Sequence, residues 1–114
     1  GYTVHACVLR PKSRGRIALA SADPFAAPRI HANYLSDADD LDRMVAAVKM
    51  TRELLAQPAF KPYAGEEMLP GTAVRDDAGI VEFIRRKAES IYHPVGTCKM
   101  GHDADAVVDD ELKV

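Results

Sequence analysis

The stretch Ser90-Ile-Tyr-His-Pro-Val-Gly-Thr-Cys-Lys-Met-Gly101 gathers residues whose types suit chemistry. His93 carries an imidazole, which titrates near neutrality and can both accept and release a proton. It precedes Pro94, so its backbone is biased to an extended conformation and its side chain can be held at a fixed angle. Pro94, Gly96 and Gly101 permit a sharply turned chain and close approach to a flat ligand. Residue type alone leaves several readings open. A histidine before proline is commonly an ordinary hydrogen-bonded loop residue. His93, Cys98 and His102 also have ligand types, with Asp103 or Asp105 as a poor fourth, whereas structural zinc normally takes four good ligands. Cys98 paired with His93 would be a nucleophile, but no acidic helper or oxyanion feature accompanies it.

The surrounding elements must position this segment. Tyr2–Leu9 is rich in β-formers, Pro11–Gly15 is a turn cluster, and Arg16–Ala20 alternates again, with Ile17 and Leu19 on one face. The pair predicts a β-hairpin over about 3–20, with a short third strand near 29–32. Ser36 suits a helix N-cap, with Asp39 as its reciprocal partner. Leu41, Met44, Val45, Val48 and Leu55 then mark one face of a helix over about 37–56, which Pro58 ends. Ile80, Val81, Ile84, Ala88 and Ile91 mark a second helix over about 76–89, where Glu82 can pair with Arg86. The expected fold is α+β: a small antiparallel sheet packed with two main helices in a single domain, 1–114. Glu66, Glu67 and Arg85–Lys87 read as solvated, Met68 and Met100 as packing residues, and Ser13–Gly15 as a hairpin turn.

Composition narrows the function classes. The chain has 114 residues and a formal net charge of −2, which argues against a nucleic-acid partner and against electrostatic attachment to anionic membranes. No apolar run approaches the roughly 20 residues of a membrane span. Cys7 and Cys98 are too few for a disulfide framework and read as reduced thiols of an intracellular protein.

Six segments together carry a resemblance. Arg10-Pro-Lys-Ser-Arg-Gly15, Ser21-Ala-Asp-Pro24, Asn33-Tyr-Leu-Ser-Asp37, Glu67-Met-Leu-Pro-Gly71, Tyr92-His-Pro-Val-Gly-Thr-Cys-Lys-Met-Gly101 and Val107-Val-Asp109 follow one another in order. In this order and wording the chain resembles the C-terminal, substrate-side domain of the glucose–methanol–choline (GMC) family of FAD-dependent oxidoreductases, choline dehydrogenase-like or alcohol dehydrogenase-like. The resemblance implies hydride transfer from a CH–OH group to FAD, with His93 as the proton-transfer residue beside the flavin. It implies that Tyr92 and Ile91 line the substrate pocket, against the plainer reading of both as packing at a helix end. Choline or another primary alcohol is the implied substrate.

The family's Gly-x-Gly-x-x-Gly, which brings backbone and a helix N-terminus to a dinucleotide pyrophosphate, does not occur in these residues. Both ends fall inside strand-like runs and read as cuts through a longer protein. The expectation is a fragment whose flavin-binding part and second polar active-site residue lie elsewhere in the same polypeptide. Such a fragment is expected to hold no FAD, to be inactive alone, and to self-associate through uncovered apolar surface. The expected location is the cytoplasm, with membrane association open for the longer enzyme. A different class of reading is a non-enzymatic binding or scaffold module that keeps this domain without the flavin half.

Overall fold

A computed structural model describes residues 1–114. Its elements run β1 (Arg16–Ala18), β2 (Arg29–His31), α1 (Ala38–Leu55), a short 3₁₀ helix (Pro58–Tyr63) and α2 (Asp77–Lys87). A two-stranded antiparallel sheet and helices make this a small α+β domain.

Helix α1 starts where acidic residues cluster. Asp37 is the N-cap and accepts from the Asp39 backbone N–H at 2.9 Å, which satisfies one of the orphan donors of the first turn. The expected cap, Ser36, is one residue off: its hydroxyl instead accepts from Asn33 Nδ2 at 3.1 Å. Helix α2 is capped by Asp76, which accepts from Gly79 N at 3.1 Å, and its last turn carries Arg85, Arg86 and Lys87 against the negative end of the helix dipole. These three are exposed, and Glu82 forms no ion pair with Arg86; Lys49 reaches Asp77 at 2.6 Å instead. The second helix is shorter than expected, and Ile91 lies beyond its end. The 3₁₀ helix after Pro58 was not anticipated; Phe60 within it faces Tyr2, with ring centroids 6.1 Å apart.

The two helices pack on each other, and their contact is the core. Val45, Ile80 and Ile84 are buried there, with Leu35, Leu41, Met44, Val48, Val74, Val81 and Phe83 around them. The facing positions follow the i, i+3, i+4 rule along both helices.

The expected hairpin is corrected. Tyr2–Leu9 is not a strand, and β1 pairs with β2, with Arg16 opposite His31 and Ile17 opposite Ile30. The reason lies in Asp40, the one buried charged residue. Its carboxylate accepts from Lys12 N (2.8 Å), Ser13 N (2.7 Å) and Ser13 Oγ (2.5 Å). Ser13 Oγ in turn accepts from Asp37 N at 3.0 Å. These bonds fasten Pro11–Gly15 to the start of α1, so the segment packs on the helix in place of closing a hairpin between Tyr2–Leu9 and β1. Gly15 then lies against the end of β2: a Cβ there would stand 2.2 Å from the His31 carbonyl oxygen. Only glycine fits that approach.

The remainder is open. The surface is 9621 Å², against roughly 6,100 Å² for a compact monomer of this mass. The radius of gyration is 18.8 Å, against about 13 Å for a compact 100-residue domain. Ile17 and Ile30, opposite each other in the sheet, Leu19 just after β1, and Phe25 are all exposed.

Candidate active site

The segment bearing His93 leaves the core through α2. Ile84 is 2% exposed, and its carbonyl accepts from Ala88 N at 2.7 Å, the last bond of the helix. Ala88 turns to an extended conformation and ends it. Ser90 follows, half-buried, and its hydroxyl accepts from Tyr92 N at 3.0 Å. Tyr92 takes a left-handed backbone, φ +67°, which side chains other than glycine and asparagine rarely adopt. His93 comes next, held out of the α region by Pro94.

The far end of the segment is also anchored. Lys99 O accepts from Val107 N at 2.8 Å, and Gly101 N donates to Val108 O at 3.0 Å. Lys99 Nζ reaches Asp103 at 2.6 Å, and this bond is the largest of the effects that hold the Asp103 carboxyl below the usual range. His102 faces Asp110 at 3.0 Å. The span from Ser90 to Cys98 thus hangs between a helix end and a self-braced loop.

Between those anchors the predicted site residues are set out as follows. Ile91 is half-buried, Tyr92 is 89% exposed, and His93 is exposed. Tyr92 therefore does not pack at the helix end. The bond from Tyr92 to Ser90 is the one hydrogen bond within Ser90–Gly96, so the His93 imidazole has no partner in this chain. Gly96 has φ +104°, and a Cβ there would meet nothing within 4 Å. The backbone at Gly96 is therefore open on that side. Two clefts, of about 370 and 310 Å³, lie elsewhere: the first is lined by Arg14, Gly15, Arg16, His31 and Asn33, the second by Cys7–Arg10 and Arg43.

The other sequence readings resolve in part. His93, Cys98 and His102 are not gathered into a group that would hold a metal ion. Cys7 and Cys98 are free and exposed. Met68 and Met100 are exposed at 86% and 53%, not packed as expected. Glu67 is not solvated either: it pairs with Arg52 in a forked geometry at 2.7–3.1 Å, while Arg52 also donates to Gly71 O, and this fastens the loop at 66–71 onto α1. Sequence reasoning missed Ser90, Asp40 and the Arg52–Glu67 pair. For the first, the sequence offered only a serine, a residue type that often bonds the backbone two residues on.

The domain is thus a helix pair that carries His93 on an exposed, turned segment. The comparisons give the class a name. A family model described as GMC oxidoreductase matches residues 11–114, and the chain belongs to that family. It is 51% identical, over all 114 residues, to an alcohol dehydrogenase (acceptor) of Pseudomonas putida, covering 21% of that protein. It is 46% identical over its whole length to oxygen-dependent choline dehydrogenases of Proteus mirabilis strain HI4320 and Klebsiella pneumoniae strain 342, covering 20% and 21% of them. The chain spans about a fifth of the length of the curated relatives it matches. The GMC family is generally flavin-dependent. No helix of the chain is long and apolar enough to cross a membrane.

Proposed function

We propose that this chain is the substrate-side part of an FAD-dependent alcohol oxidoreductase acting on CH–OH donors. The observation that carries the reading is identity along the whole chain, 46–51%, to alcohol and choline dehydrogenases. Flavin, when bound, supplies the acceptor for the hydride that leaves the alcohol carbon. The protein's own task is the hydroxyl proton. His93, neutral, accepts that proton at an imidazole nitrogen and later releases it. Its exposure and lack of an internal partner leave the ring available to a substrate hydroxyl. Tyr92 and Ile91 border the alcohol, and the exposed Tyr92 side chain can offer its hydroxyl to the same oxygen.

The residues fit the edge of a flavin site, not its dinucleotide cradle. Gly96 carries no side chain and has open space around it, so its backbone could be approached by a flat ring. Nothing in these 114 residues supplies the glycine-rich turn for a pyrophosphate. The dinucleotide is held by the remainder of the same polypeptide, which also covers Ile17, Leu19 and Ile30. The 114 residues alone therefore bind no flavin, turn over no alcohol and self-associate through the uncovered face. The substrate is choline or an uncharged primary alcohol. A quaternary ammonium group favours aromatic walls, and Tyr92 is the one aromatic residue in Ser90–Gly101. The cytoplasm is the proposed location.

The test is a panel of alcohols on the full-length protein, choline included, beside His93→Ala. Flavin reduction by at least one alcohol, abolished in the variant, supports the reading. A flavin-loaded protein that no alcohol reduces overturns it.

A further inference from the structure

We infer that the cleft beside the sheet binds a phosphoryl group through the guanidinium groups of Arg14 and Arg16 and the ring N–H of His31. The inference is independent of the reading of His93. The cleft has a volume of about 370 Å³ and is lined by Arg14, Gly15, Arg16, His31 and Asn33. Its charge follows from strand register. Arg16 stands opposite His31 and Ala18 opposite Arg29, whereas Ile17 stands opposite Ile30. Side chains alternate along a strand, so Arg16, His31 and Arg29 share one face of the sheet and the two isoleucines share the other. Arg14, just before β1, extends the basic face around the end of the strand pair.

Nothing in the chain neutralises this face. No carboxylate lines the cleft, and no ion pair involves Arg14, Arg16, Arg29 or His31. The acids that meet the neighbouring loop are engaged: Asp39 by Lys12 and Arg43, and Asp40 by the Lys12 and Ser13 backbone and the Ser13 hydroxyl. The chain as a whole has a net charge of −2, so the surplus of cations is local. Like charges on facing strands repel, and an anion between them relieves the repulsion. The cleft is also partly built. Arg14 Nη1 donates to Pro11 O at 2.7 Å and to Ser13 O at 3.1 Å, which holds the guanidinium against its own loop and leaves Nε and Nη2 without a partner in the chain. Asn33 Nδ2 donates to Arg14 O at 2.9 Å and ties that loop to the residues after β2. Gly15 puts no side chain between the two arginines. The donors select the ligand. Two guanidinium forks match the charge of roughly −2 and the three oxygens of a phosphate group, whereas a single carboxylate occupies one fork. The imidazole of His31 adds an N–H whichever ring nitrogen carries it.

The experiment is calorimetric titration of the full-length protein with inorganic phosphate and, separately, with glycerol phosphate as a phosphomonoester, at fixed ionic strength. Saturable binding of either, with Kd of about 1 mM or tighter, is expected; which of the two binds tells free phosphate from an esterified group. Acetate is expected to bind at least about tenfold more weakly. Arg16→Gln is expected to weaken phosphoryl binding about tenfold. Arg85→Gln, which removes an exposed arginine of α2 outside the cleft, is expected to leave it within about twofold. Should Arg16→Gln not accumulate as folded protein, Arg16→Lys keeps the charge, loses the fork, and is expected to weaken binding at least about threefold. The inference is overturned by the absence of saturable binding of both probes up to about 10 mM, by acetate binding as tightly as phosphate, or by equal losses in the Arg16 and Arg85 variants.

Discussion

Ile80→Ala is the sharpest probe of what holds the His93 segment to the fold. Ile80 has no exposed surface, and only Val45 and Ile84 share its buried apolar core. The substitution deletes three carbon atoms, about 2.4 kcal/mol at ~0.8 kcal/mol per buried methylene. A residual cavity adds to this, which brings the loss to about 3–4 kcal/mol, inside the ~2–5 kcal/mol range for such truncations. Total stabilities are about 5–15 kcal/mol, so the loss is a large share. At ~4–8 °C per kcal/mol the melting temperature falls by roughly 12–30 °C. The assay is thermal unfolding of the 114-residue chain followed by helical circular dichroism. Leu19→Ala is the control: Leu19 is 85% exposed, and its truncation should stay within about 0.5 kcal/mol. An Ile80→Ala shift below about 5 °C, or one matched by Leu19→Ala, refutes the placement of the core between α1 and α2.

Further outcomes follow from the same structure. Gly15→Ala drives a Cβ into the His31 and Ala32 carbonyls at 2.2 and 2.5 Å, so hydrogen exchange at β1 and β2 should rise sharply while α1 stays protected; unchanged exchange contradicts the close approach. The Asp40 carboxyl is held below the usual range, first by the Ser13 hydroxyl and then by the Lys12 and Ser13 backbone N–H groups. A lowered folded-state value stabilises fully above the ordinary carboxylate value, about pH 4, and that stabilisation is lost as pH falls through the lowered one. Asp40→Asn should therefore melt below the parent at neutral pH and converge with it in acid; a constant gap from neutral to acid pH tells against the network. The purified 114-residue chain should be colourless after mixing with FAD and should self-associate in solution scattering. A stoichiometric yellow complex, or a strict monomer at high concentration, contradicts the corresponding proposal.

The helices were legible because their signals are local. Leu41, Met44, Val45 and Val48 repeat at helical spacing, and the observed Ala38–Leu55 follows that spacing within a residue or so at each end. The cap slipped from Ser36 to Asp37 because both can accept from the first turn, and Asn33 occupies the serine. Strand pairing was not legible. Tyr2–Leu9 has β-formers, but propensity does not choose a partner. The choice was made by Asp40, one of several acids between Asp37 and Asp42, and nothing local marks which of them is buried. The His93 segment was legible by residue type and by family resemblance. Its left-handed Tyr92 and the Ser90 turn are conformational facts that composition does not encode.

The central claim is that His93 moves the hydroxyl proton of an alcohol. The most direct measurement is stopped-flow reduction of the bound flavin in the full-length protein, with His93→Ala against the parent at equal flavin content. The account predicts a loss of about 10²–10⁴-fold in the reduction rate, with the flavin still bound. Reduction at the parent rate in the variant would contradict it.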